Sequence, residues 1–196
     1  PNDRLGIVVG PDASRLLERI GHAELRSIYP PAAQPAFALA HLIEPWSLTA
    51  WRAVILLCDL ATIGLLLALL DRAGRSRLWA ALYWWNPVVI AALYNGAHMD
   101  IVVLPPLLLA LLLATGGASV ASAASLAVAA GAKVWPILLL PLVLRPLTAD
   151  PRRLAAALSV FTAVILITAA PVALAGIDET SGFTAYAQTW QRNTAL

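Results

Sequence analysis

LTAWRAVILLCDLATIGLLLALL, residues 48–70, carries only two charges, Arg52 and Asp59, in a run of otherwise mostly apolar side chains. A helix of this length crosses the roughly 30 Å hydrocarbon core of a bilayer, so the stretch decides the fold class: an all-α integral membrane protein. The rest of the composition agrees. The chain is 60% hydrophobic and 12% charged, with a mean hydropathy of +0.78, which is the profile of a polytopic helix bundle rather than a soluble domain. The formal charge of +2 comes with clustered arginines. That pattern excludes a basic surface for nucleic acid and points to control of membrane topology. The single cysteine, Cys58, lies inside the same run. It permits no intrachain disulfide and reads as a small buried hydrophobe.

Immediately after this run come Arg72, Arg75 and Arg77, and further on Arg145, Arg152 and Arg153; together they are six of the thirteen basic residues. The positive-inside rule puts both groups in the cytoplasm. From the first loop, residues 78–93 are expected to run outward, with Trp79, Tyr83, Trp84 and Trp85 as an interfacial aromatic belt. Residues 101–114 then return, with Pro105 and Pro106 tolerated near the helix start and the turn at Gly116 and Gly117 inside. Residues 118–144 would make one span by length, but one span would put the second arginine group outside. Two short helices meeting near Lys133, Val134, Trp135 and Pro136 resolve the conflict, because proline breaks or kinks a helix. In a bilayer such a break must line an enclosed or watery cavity. Residues 154–175 cross outward again, giving about six crossings. Residues 31–43 are too short to span and read as an interfacial helix before Glu44 and Pro45. Ser14 can cap a short amphipathic helix carrying Leu16, Leu17 and Ile20. The organisation expected is an outer-face segment with short and interfacial helices over 1–47, a transmembrane bundle over 48–175 and an outer loop over 176–196. The chain opens on Pro1 without a signal peptide and reads as a fragment of a longer protein.

Four polar or aromatic segments collect on the expected outer face. They are ELRSIYPPAAQ (24–34), NGAHMD (95–100) preceded by Asn86 and Pro87, AKVWP (132–136) and TWQRN (189–193). A polar cluster where a membrane span ends is a functional-site hypothesis by default. In order and spacing these segments resemble the GT-C membrane glycosyltransferases, in particular family 87 enzymes that use polyprenyl-phosphate mannose. The resemblance rests on Tyr-Pro-Pro, on Asn-Pro leading to Gly-X-His-X-Asp, on Lys-X-X-Pro and on Trp-X-X-Asn, and it covers nearly the whole chain. Two departures are Ala97, where a glycine usually precedes the histidine, and a first membrane helix with an acidic motif that would lie before Pro1. The resemblance therefore puts the catalytic base outside these residues.

What it implies is inverting transfer of a hexose, mannose first, from a polyprenyl-phosphate donor to an extracytoplasmic glycan or glycolipid, in a bacterial plasma membrane. The donor carries its own leaving group, so the chemistry needs a base for the acceptor hydroxyl and cations for the departing phosphate. Lys133, the one lysine of the chain, is the candidate phosphate partner, with Arg26 and Arg192 assisting. His98 and Asp100 are the catalytic candidates. Tyr29, Asn95, Trp190 and Asn193 are the substrate-binding candidates. No metal-ligand spacing is present, and a divalent cation shared by His98 and Asp100 is the one cofactor worth weighing.

Plainer readings stand beside these. Lys133 can snorkel to the headgroups, and Asp100 can N-cap a helix starting at Ile101. Tyr29, Pro30 and Pro31 can simply set a turn. Asp59 is expected to pair within the bundle, toward Arg52 two turns away. His22 and His41 stand alone. A transporter or flippase of a lipid-linked sugar is the competing function, since a broken helix bearing a cation can also hold an anion in transit; a non-catalytic scaffold is the third.

Overall fold

The structure, a computed structural model, describes residues 29–175. Pro30–Ala169 form one compact unit; Tyr29 and the last turns of the final helix, from Ala170, belong to a second. Among the described residues 84% are helical and none lies in a strand, so the all-α class holds. After a 3₁₀ turn at Pro31–Ala33, α1 is Gln34–Ile43 and α2 is Leu48–Arg72. Two short pieces follow, α3 at Ala81–Trp84 and α4 at Pro87–Ile90. Helix α5 is Leu104–Thr115, α6 is Ser119–Ala132, α7 is Leu140–Leu144 and α8 is Pro151–Ala175.

Among the described residues two helices, α2 and α8, are long and apolar enough to cross a membrane. A third crossing exists if Pro87–Asn95 and Met99–Thr115, bent by 105° at their junction, count as one broken span. Helix α6, at 14 residues, is only about 21 Å long. Length and composition thus support two or three crossings, short of the six expected. Residues 78–93 account for part of the difference, because they form a 3₁₀ turn, α3, a break and α4 instead of one span. Pro87 lacks the N–H that a continuous helix would use, and Asn86, held extended, starts a new helix by accepting from Val88 N–H at 2.9 Å.

Packing contacts fix which ends lie together. Trp51 in the first turn of α2 donates from Nε1 to the Ala97 carbonyl at 2.8 Å, so α2 starts at the 95–100 loop. At its other end the Arg72 guanidinium lies close against Gly116, where a Cβ would come within 3.3 Å of it. Helices α2 and α5 therefore run in the same direction, and α6 returns to the loop. Gly131, near the end of α6, packs on Thr168 of α8, with a Cβ there only 2.9 Å from Oγ1. Arg152 and Arg153 lie more than a dozen residues earlier in α8, about 23 Å back along the helix. Both arginine groups consequently share one end of the bundle, and Trp135–Leu147 leads back toward it. The break at Lys133 that makes this possible falls where the sequence placed it.

Helix α6 is the centre of the core. Its Ala123, Leu126, Ala127 and Ala129 are fully buried and share one core cluster with Val103, Leu107, Ala110, Val143, Ala157 and Phe161. Small side chains let the backbones approach, which is how helices associate where lipid removes the hydrophobic drive. Two hydroxyls then bond across to α5: Ser122 donates to the Ala110 carbonyl and Ser125 to the Pro106 carbonyl, both at 2.7 Å.

Candidate functional site

The site is built on the discontinuity that follows α4. Residues Ala91–Asn95 form a π turn, whose wider hydrogen-bond ring brings Gly96 N–H to the Ala91 carbonyl at 2.9 Å. His98 N–H then reaches the Ala92 carbonyl at 3.1 Å, so the chain doubles back on itself within a few residues. Gly96 is needed there, since a Cβ would sit 2.7 Å from His98 Cδ2 and 2.9 Å from the Ala92 carbonyl. Ala97 is held at φ +49°, a left-handed conformation that disfavours a residue with a Cβ. The Trp51 bond to its carbonyl holds this strained position against α2.

Asp100 sits in the 3₁₀ turn Met99–Val103, for which His98 is the N-cap residue without a side-chain capping bond. The plainer reading of Asp100 as N-cap of a helix starting at Ile101 is not what the structure has: the turn starts at Met99, and Asp100 Oδ1 accepts from Lys133 Nζ. Lys133 follows the last residue of α6, where the backbone turns extended (φ −157°, ψ 136°), and Pro136, lacking an N–H, sits in the first turn of the 3₁₀ helix Trp135–Leu139 that starts beyond the break. The pair joins two helix discontinuities, and its side chains remain 47% (Lys133) and 52% (Asp100) exposed. Lys133 is thus partnered rather than simply snorkelling. Beside the pair lies a cleft of about 240 Å³, mostly apolar, with Asp100, Tyr83, Leu93, Leu104 and Trp135 among its walls.

One candidate metal ligand, Asp100, is taken by a lysine ammonium, and among the described residues no group of three or more His, Cys, Asp or Glu comes together.

The sequence reading missed a second polar cluster. Asp59, in the middle of α2, is fully buried. Its carboxylate accepts from Tyr83 Oη at 2.8 Å, Trp84 Nε1 at 3.2 Å and Tyr94 Oη at 2.7 Å. The expected pairing with Arg52 is corrected, for Arg52 is exposed and the partners come from α3 and the π turn. Tyr83 and Trp84 are accordingly not simply a lipid-facing belt, whereas Trp79 and Trp85 are well exposed. The available signal was a lone acid in an apolar run accompanied by nearby Tyr and Trp side chains, which are polar-tipped and seek partners when buried.

Of the candidates named from sequence, Asn95, His98 and Asp100 share one loop, and Lys133 is brought to it from α6. Asn95 is exposed at the end of the π turn, and Tyr29 is exposed. Arg26, Trp190, Arg192 and Asn193 lie outside the described residues, as do Ser14 and His22. No curated protein and no solved structure matches the chain significantly. The model of glycosyltransferase family 87 matches residues 28–195, a stretch that includes the Asn95–Asp100 loop and Lys133, and on that match the chain belongs to glycosyltransferase family 87, a family of membrane glycosyltransferases.

Proposed function

We propose that this family 87 chain transfers a hexose, mannose first, from a polyprenyl-phosphate donor to a glycan or glycolipid on the extracytoplasmic face of a bacterial plasma membrane. The observation that carries the reading is the Lys133–Asp100 pair, which joins two helix discontinuities at the end of the bundle opposite both arginine groups. With the arginines cytoplasmic, that end faces outward and the chain makes six passes, several of them by short helices.

The chemistry follows from the donors and acceptors present. An ammonium has three N–H donors; Asp100 takes one and holds the group at the break, leaving the others for the phosphate oxygens that gain charge as the glycosidic bond breaks. The pairing suits Asp100 to positioning Lys133 more than to abstracting a proton. His98, its ring lying close to Gly96, supplies a second polar group at the reacting centre. Attack by the acceptor hydroxyl on the opposite face of the sugar, with its proton passing to a general base other than Asp100, breaks the bond to the phosphate and inverts the anomeric centre in one displacement. The test is transfer of labelled mannose by the full-length protein in liposomes: label should pass from polyprenyl-phosphate mannose and not from a nucleotide-activated sugar, and the reverse preference would refute the donor assignment. The broken helix bearing Lys133 also favours a transporter; donor that changes leaflet without forming a new glycosidic bond would establish that alternative.

A further inference from the structure

Asp59 is an expensive residue to keep in an apolar helix, and packing alone gives no reason for it. A buried carboxylate is destabilising unless its oxygens are satisfied, and a leucine would fill the position without that cost. Its three donors are distributed in an informative way. Tyr83 and Trp84 precede the break at Asn86 and Pro87, while Tyr94 follows it within the π turn. Between them the ordinary helical hydrogen bonds are interrupted twice, at Pro87 and again over Ala91–Asn95, and such interruptions are where helices bend. One carboxylate therefore ties both flanks of a hinge to the middle of α2. The hinge opens directly into Gly96, Ala97 and His98, and Tyr83 also lines the cleft beside Asp100.

We propose that Asp59 is a positioning residue that, through Tyr83 and Tyr94, sets where His98 and Asp100 stand relative to Lys133. The proposal rests on the reading of that loop as the sugar-transfer site. A carboxylate suits the task because it accepts at both oxygens and donates at neither, which an amide of equal size does not. Asp59→Asn would turn a donor toward groups that are themselves donors, and Tyr94→Phe would remove one tether while leaving the carboxylate in place.

The experiment is hydrogen-exchange mass spectrometry on both full-length variants, with transfer kinetics on the same preparations. Exchange over 91–98 should rise about tenfold or more, as expected for loss of a hydrogen bond to a charged group, while exchange over α6 stays unchanged. The kcat should fall about tenfold to a hundredfold with the donor KM little altered, and the double variant should be no worse than Asp59→Asn alone. Unchanged exchange over 91–98, a rise spreading through α6, or wild-type kcat in either folded variant would overturn the proposal. If Asp59→Asn does not fold, Tyr94→Phe decides it by the same readings. A wild-type protein that transfers no sugar would instead overturn the functional reading, and the exchange comparison would still decide the tether.

Discussion

Trp51 and Ala97 are joined by a 2.8 Å hydrogen bond from the indole N–H to the carbonyl, which couples the start of α2 to the residue before His98. The same indole packs on Phe37 of α1, with ring centroids 4.6 Å apart, so one side chain binds two helices and the loop. Trp51→Phe preserves most of the apolar contact and deletes the donor. Thermal unfolding in detergent should report a loss of about 1 kcal/mol, together with a lower transfer rate. A variant equal to wild type in both would show that the bond holds nothing.

Ala97 at φ +49° is a position where glycine would be relaxed. The left-handed conformation costs an L-residue about 1–2 kcal/mol, offset by the roughly 0.5–1 kcal/mol of extra backbone entropy that glycine loses on folding. Ala97→Gly should therefore stabilise by up to about 1.5 kcal/mol, and Ala97→Val should be less stable than wild type, since a β-branched residue fits the conformation worse. Midpoints of thermal unfolding for the two variants decide the matter. A less stable Ala97→Gly would mean that the methyl contributes packing that outweighs the backbone strain.

Gly96→Ala places a methyl 2.7 Å from His98 Cδ2 and 2.9 Å from the Ala92 carbonyl. The imidazole can swing away but the Ala92 carbonyl is backbone, so the turn itself must shift together with His98, and thermal stability should fall along with activity. Transfer should fall by about tenfold or more, consistent with misplacement of a polar group at the reacting centre. Full activity and unchanged stability would show that neither the turn at Gly96 nor the position of His98 matters to transfer.

Orientation is tested separately from catalysis. In a Cys58→Ser background, single cysteines at Arg75 and Asn95, both exposed, should react with an impermeant maleimide from opposite sides of sealed vesicles. The Asn95 position should label from outside and the Arg75 position only after permeabilisation. Labelling of both from one side would refute the proposed topology.

The long helices were readable because their apolar runs match the bilayer in length: 48–70 became Leu48–Arg72, and 154–175 became Pro151–Ala175. The break at Lys133 was readable as well, because Pro136 and the arginine asymmetry demanded it independently. The interruption of residues 78–93 at Asn86 and Pro87 was missed because hydropathy averages over both residues, whereas the backbone responds to each singly. The Asp59 cluster was hidden for a related reason. Tyr83 and Tyr94 lie 24 and 35 residues away in sequence, and only the bend that follows from Asn86, Pro87 and the π turn brings both hydroxyls to one carboxylate. Arg52, two helical turns away, looked the natural partner by local spacing, yet it is exposed. At the candidate site, local patterning suggested Asp100 as a cap, and the tertiary contact with Lys133 prevailed.

The central claim is that Lys133 holds the departing phosphate. It is tested most directly by the rate of mannose transfer from polyprenyl-phosphate mannose catalysed by Lys133→Ala in the full-length, liposome-reconstituted protein. Loss of a charged donor at the leaving group should lower that rate by about a hundredfold or more, with membrane insertion and thermal stability retained. Wild-type transfer by a correctly inserted Lys133→Ala protein would contradict the account.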